Sequence, residues 1–216
     1  SLVGSEMCIR DSINNTDLEE LSALMKYTDN DGSTKKFKVS SLIIYATGAT
    51  TLPDNFADSD SYTTPNTVLK KVILPEGITN IGEEAFQYCA SLTSITLPEN
   101  LESIGDYAFY SCKSLTSINI PDKMTTIGDG TFESCSSLAT VTLPESLESI
   151  GNDAFNCCAS LTSINIPDKV NTIGDGAFES CSYLITVTLP ESLESIGSDA
   201  FYNCTSLTSI NIPDKV

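Results

Sequence analysis

The sequence predicts a mainly β solenoid, with a parallel sheet on the concave face and short helical or 3-10 turns on the convex face. Three observations carry that expectation. From Ile78 the chain repeats with a 23-residue period and no insertion or deletion, in further blocks starting at Leu101, Met124, Leu147, Val170 and Leu193. Phe recurs at Phe86, Phe109, Phe132, Phe155, Phe178 and Phe201, and Gly at Gly82, Gly105, Gly128, Gly151, Gly174 and Gly197, each after Ile. One such unit is too short to bury its own apolar side chains, whereas stacked copies bury them as continuous columns.

In chain order, residues 1–15 match nothing downstream and read as a non-repeat segment of foreign sequence origin. The chain starts without Met, and Val216 stands where a further repeat would begin, so both ends read as cut. Residues 16–48 read as an N-terminal cap of helix and strand. "TDLEELSALMKY" opens with the capping box Thr16–Glu19 and sets Leu18, Leu21 and Met25 on one face, and "FKVSSLIIYA" reads as a strand. Residues 49–77 form a degenerate repeat. Phe56 echoes its first half, Leu69, Val72, Leu74 and Pro75 its second, and a surface loop is inserted between them. Residues 78–216 hold the six regular repeats. In "LTSITLP", Leu92, Ile95 and Leu97 point inward and Ser94 and Thr96 outward on a short strand. Pro98 ends that strand because proline cannot donate to the ladder. The Gly after Ile suits a tight turn with positive φ. "EEAFQYC" fits one helical or 3-10 turn on the opposite side.

Composition narrows the function classes. The 216 residues carry 29 acidic and 11 basic side chains, a formal charge of −18, which repels phosphate backbones and anionic lipid headgroups. Nucleic acid is therefore not an expected partner, and no apolar run is long enough to insert directly in a membrane as a helix. Histidine is absent, which removes the commonest general base and transition-metal ligand.

Each chemical constellation has a plainer explanation. Cys89, Cys112, Cys135, Cys158, Cys181 and Cys204 fall on the 23-residue period. Stacked copies would lie about 4.8 Å apart, longer than the roughly 3.8 Å between Cβ atoms that a disulfide needs. A buried column of free thiols is expected, with Cys157 outside it. "YTDNDGSTKKFK" (27–38) mimics a calcium loop through Asp29, Asp31 and Gly32, but Tyr27 and Lys38 stand where the first ligand and the bidentate Glu belong. A polar turn ahead of a strand is the better reading. The carboxylates after proline (Glu99, Asp122, Glu145, Asp168, Glu191 and Asp214) read as a solvated edge rather than a Ca²⁺ row. A repeating ladder supplies no cleft with differing environments for glycosidase chemistry. No catalytic residue, metal site or cofactor is expected. Asn14 and Asn203 head glycosylation sequons too short to establish secretion.

"IGDYAFYSCKSLTSINIP" and its five siblings resemble the BspA-like (Treponema pallidum-type) class of leucine-rich repeats, over 138 of the 216 residues. The resemblance implies a leucine-rich repeat solenoid without enzymatic activity. It also implies a recognition or adhesion module at the cell surface or secreted, binding a protein or glycan ligand; the alternative is a cytoplasmic interaction scaffold. The position that holds Asn or Cys in the general repeat, three places after LxL, is Asn100, Lys123, Ser146, Lys169, Ser192 and Lys215 here. A buried Asn ladder is therefore not the device that holds these turns.

The resemblance assigns ligand binding to the concave strand face. Its outward positions are Ser94 and Thr96, Ser117 and Asn119, Thr140 and Thr142, Ser163 and Asn165, Thr186 and Thr188, and Ser209 and Asn211. The array is small, polar, uncharged and without aromatic anchors, so weak multivalent binding suits it better than one tight site. A flat Thr-rich array also suits ice, but the alternating Ser and Asn argue against that. Aligned blocks starting at 124 and 170 share 18 identities, those at 147 and 193 share 19, and neighbours at 124 and 147 only 7. The chain grew by copying pairs, which stripes the surface with "TxTLPES" and "SxNIPDK".

Overall fold

The structure is a computed structural model that describes residues 2–3, 6–9, 26–28, 34–36, 41–44, 49–57, 66 and 68–216. Its strands ahead of the regular repeats are β1 (Leu2–Val3), β2 (Glu6–Ile9), β3 (Lys26–Thr28), β4 (Thr34–Lys36), β5 (Ser41–Ile44), β6 (Thr51–Leu52) and β7 (Lys71–Ile73). Each regular repeat but the last then adds a strand of two residues and one of three. These are β8 (Asn80–Ile81) and β9 (Ser94–Thr96), β10 (Ser103–Ile104) and β11 (Ser117–Asn119), β12 (Thr126–Ile127) and β13 (Thr140–Thr142). They continue as β14 (Ser149–Ile150) and β15 (Ser163–Asn165), then β16 (Thr172–Ile173) and β17 (Thr186–Thr188), and β18 (Ser195–Ile196) closes the series.

Repeats pair with their neighbours in parallel at an offset of one full period, for example Ser117 with Thr140 and Ser149 with Thr172. β5, β7 and β9 share one sheet, to which β2 adds in parallel and β1 antiparallel. β5 falls inside the stretch expected as a strand, and β3 and β4 pair antiparallel across the calcium-loop mimic. Residues 16–25 of the expected capping helix and residues 58–65 of the inserted loop lie outside the described residues; Lys26 and Tyr27, the last two helix positions, lie in β3.

The expected columns form. Phe56, Phe86, Phe109, Phe132, Phe155 and Phe178 are fully buried, and Phe201 is partly buried. From Phe86 to Phe201 successive rings stack with centroids 5.3–5.4 Å apart and planes 4–12° from parallel. Paired strands lie about 4.8 Å apart, so the Phe side is the wider one and the solenoid bends with that side convex. Each proline after a strand closes a turn by accepting from the amide three residues on, as in Leu101 to Pro98 at 3.1 Å.

The convex side carries turns and, among the described residues, no helix. Hydrogen bonds of the 3-10 type close them, such as Gln87 to Glu84 (2.9 Å) and Cys89 to Phe86 (3.1 Å). The turns never run on into a helix because two positions per repeat are left-handed. These are Glu84, Tyr107, Gly130, Asp153, Gly176 and Asp199, and then Tyr88, Ser111, Ser134, Cys157, Ser180 and Asn203. The reversals aim alternate amides along the solenoid axis, so Glu84, Phe86 and Tyr88 donate to Asp106, Ala108 and Tyr110 of the next coil at 2.8–3.0 Å. Backbone groups that would otherwise be orphaned between coils are satisfied.

The glycines after Ile correct the sequence reading. Positive φ occurs at Gly130 and Gly176 and not at the six Ile-Gly positions. Gly is needed there for close approach. A Cβ on Gly174 would stand 2.6 Å from the backbone N of Asn152 and from the carbonyl carbon of Gly151, and one on Gly151 would stand 2.6 Å from Oδ1 of Asp129. The residue after each Gly uses that space. Oδ1 of Asp106 accepts from the amide of Asp129 (2.9 Å), Asp129 from Asn152 (2.7 Å), Asn152 from Asp175 (2.9 Å) and Asp175 from Ser198 (2.6 Å). This Asp/Asn ladder links coil to coil along the Gly edge; at the position of the missing Asn, Ser146 and Ser192 also donate between coils, to the carbonyls of Met124 (2.7 Å) and Val170 (2.8 Å).

A thiol ladder runs beside it. Cys112 donates to the carbonyl of Phe86 (3.3 Å), Cys135 to Phe109 (3.1 Å), Cys158 to Phe132 (3.2 Å), Cys181 to Phe155 (3.2 Å) and Cys204 to Phe178 (3.1 Å). These cysteines are buried and free, as the column spacing predicts.

Candidate functional site

All twelve residues assigned to the strand face are exposed. Alternation along each three-residue strand produces this: the central residue (Ile95, Ile118, Val141, Ile164 or Val187) turns toward the core and its neighbours turn out. Parallel register sets Ser117 beside Thr140 and Asn119 beside Thr142, then Ser163 beside Thr186 and Asn165 beside Thr188. Ser94 and Thr96 lie beside Lys71 and Ile73 of β7. Ser209 and Asn211 are exposed but stand in no strand.

The sheet breaks between β9 and β11 and between β13 and β15, so the array is divided into blocks rather than continuous. The breaks follow the 46-residue period. Ile118 and Ile164 at the centre of the "SxN" strands are buried, as are Ile120 and Ile166. Their counterparts Val141, Leu143, Val187 and Leu189 are partly buried. Alternating surfaces therefore accompany alternating packing. At the first break a cleft of about 390 Å³ is lined by Leu97, Glu99, Asn100, Asn119, Pro121, Asp122 and Lys123. It joins an amide of the predicted array to the carboxylates of Glu99 and Asp122 and the amine of Lys123, and so offers hydrogen bonds and ion pairs of both signs.

A second constellation, which the sequence reading missed, lies on the convex side. Tyr88, Tyr107, Tyr110, Glu84, Gln87 and Glu133 line a cleft of about 320 Å³. Tyr88 and Tyr110 meet edge to face at 5.2 Å and 84°, and Tyr107 and Tyr110 at 6.1 Å and 73°. The Tyr107 ring lies over Gly130, where any Cβ would collide with it. Burial holds the Tyr107 hydroxyl above its ordinary pKa, and the nearby charges of Glu133, Asp129, Asp153 and Asp106 add to the shift. Burial, followed by the Asp153 charge, pushes Glu133 up to about 7. The signal was present in the sequence: the spacing from Tyr88 to Tyr110 is one position short of the period, so the two fall in different columns and converge.

The post-proline carboxylates from Glu99 to Asp214 are exposed, and among the described residues no three His, Cys, Asp or Glu side chains group to hold a metal ion. Burial pushes the thiols of Cys112, Cys158, Cys181 and Cys204 up, which keeps them protonated. Cys157 is exposed, yet partial burial and then the charges of Glu133 and Glu179 raise its pKa too, so it is no activated thiolate. No helix among the described residues is long and apolar enough to cross a membrane.

A family model and a solved structure of the same repeat class agree with this geometry. The model of the BspA type leucine rich repeat region matches in six copies, over residues 57–185 and 102–216. The crystal structure of a leucine-rich repeat protein from T. pallidum is 31% identical, with a TM-score of 0.72, covering 84% of this chain and 86% of that one. A leucine-rich repeat protein from Bacteroides ovatus is 21% identical over 97% of this chain and 77% of its own, with a TM-score of 0.47. A leucine-rich cell surface protein from Faecalibacterium prausnitzii is 23% identical over 88% and 81%, with a TM-score of 0.40. No curated protein matches the chain.

Proposed function

The chain belongs to the BspA-type leucine-rich repeat family, and on that premise we propose that it is a non-enzymatic recognition module whose strand face binds a protein or glycan, as an adhesion protein at the cell surface or secreted. Members of this repeat class typically act as protein-interaction modules. The observation that carries the reading is the array itself: twelve polar residues, all exposed, ten of them on three-residue strands that recur every 23 residues of sequence. Small uncharged side chains at that spacing favour many weak contacts summed along a partner. The charge of −18 directs the choice toward neutral or basic partners.

A second reading is an intracellular interaction scaffold, with which the buried, unbridged Cys column is compatible. Presenting the chain to panels of immobilised proteins and glycans tests recognition. An Asn119→Arg/Asn165→Arg double variant should lose capture while its melting temperature stays unchanged. Undiminished capture by that variant would place recognition elsewhere.

A further inference from the structure

We propose that the convex-side cleft between Tyr88, Tyr107 and Tyr110 is a second binding site, one that takes a cationic side chain, an ammonium or guanidinium group presented by a partner protein. It lies away from the strand face and does not rest on the strand-face reading.

Three features define the ligand. The Tyr110 ring stands at 84° to Tyr88 and 73° to Tyr107, so the rings meet at angles and line an open depression rather than one flat platform. A cation seated there is attracted by any ring face whose centroid lies within about 6 Å. A sugar instead needs an extended aromatic face to stack on. Next, Glu84 and Glu133 complete the lining, and Gln87 offers an amide oxygen beside them. Asp106, Asp129 and Asp153 also act on Tyr107, so the local field is strongly negative in a chain of charge −18. Burial and Asp153 already make the Glu133 charge costly, and a cation in the cleft relieves that cost.

The third feature is rigidity. Gly130 stands at a position where the other repeats carry Glu84, Tyr107, Asp153, Gly176 and Asp199. Its missing side chain is what lets the Tyr107 ring lie across the next coil. An aromatic wall seated on backbone is pre-organised, and pre-organisation lowers the entropy lost on binding.

The chain has no Trp, so its intrinsic fluorescence reports tyrosine alone. The experiment titrates the full chain with the capped tripeptides Gly-Lys-Gly and Gly-Arg-Gly, with neutral Gly-Gln-Gly, and with maltotetraose. Tyrosine fluorescence and aromatic NMR shifts are followed, and the melting temperature of each variant is recorded. The cationic peptides should give saturable shifts at Tyr88, Tyr107 and Tyr110 that weaken as salt rises. Tyr110→Leu and Glu133→Gln should each weaken binding about three- to fivefold. Tyr110→Phe, which keeps the ring, should bind more tightly than Tyr110→Leu, and Glu191→Gln, an exposed carboxylate outside both clefts, should leave binding unchanged. The proposal is overturned if Gly-Gln-Gly or maltotetraose produces the same shifts. It is also overturned if Tyr110→Leu binds the cationic peptides as wild type does.

Discussion

At the scale of single residues, the fold depends on atoms that are missing. Gly174 leaves room for a backbone amide 2.6 Å from where a Cβ would stand, and Gly151 for the Asp129 carboxylate that caps Asn152. Gly174→Ala should therefore cost about 1–3 kcal/mol through forced backbone shifts, read as a lower urea midpoint. Asp129→Ala removes an exposed acceptor that also holds the Asn152 side chain (3.2 Å). It should cost about 1 kcal/mol by the same measurement. Glu133 adds a pH dependence. Its pKa rises from 4.5 to about 7 on folding, so the folded chain keeps a proton that the unfolded chain releases between those values. Stability linked to that proton is complete below about pH 4.5 and lost as pH rises through 7. The carboxyl is half-exposed, so solvent screening reduces the effect to about 1 kcal/mol. Glu133→Gln should flatten the fall of melting temperature between pH 4.5 and 8; an unchanged slope would show that this proton is not linked to folding.

At the scale of the element, each coil is held by an aromatic stack, a thiol ladder and an Asp/Asn ladder. Phe132 stacks on both neighbours at 5.4 Å, and Phe132→Ala should cost about 3–5 kcal/mol by denaturant melting. Alkylation of the native chain should modify Cys157 while Cys89, Cys112, Cys135, Cys158, Cys181 and Cys204 react only on unfolding, as mass spectrometry of the labelled peptides would report. The Phe and Cys columns were legible in the sequence because an unbroken period fixes their alignment without any knowledge of the path between them. The role of the glycines was not legible. Gly serves both positive φ and close approach, and only the coil-to-coil distance separates the two. The Asp/Asn ladder was hidden for a related reason: residues 106, 129, 152 and 175 are polar and at least partly exposed, which reads as plain solvation until their side chains are seen to reach the next coil. On the strand face ten of the twelve expected residues stand exposed on strands, while Ser209 and Asn211 are exposed but stand in none, and the breaks after β9 and β13 depend on how deeply "SxN" and "TxT" strands pack.

At the scale of the whole molecule, a stack in which each coil touches only its neighbours has stability spread along one dimension. The final repeat forms no three-residue strand, and Ile212 is exposed where Ile120 and Ile166 are buried. Hydrogen exchange should be slowest in the coils from 124 to 192 and fastest after 205. The molecule also presents two surfaces of different chemistry: a polar uncharged array on the strands and an aromatic acidic cleft on the turns. The central claim concerns the first. Its most direct test is the affinity of the strongest panel ligand for wild type, for Asn119→Arg, for Asn165→Arg and for the double variant, at matched melting temperatures. The account predicts a partial loss from each single change and at least about a tenfold loss from both, as weak sites summed along an array require. Wild-type affinity in the double variant would contradict it.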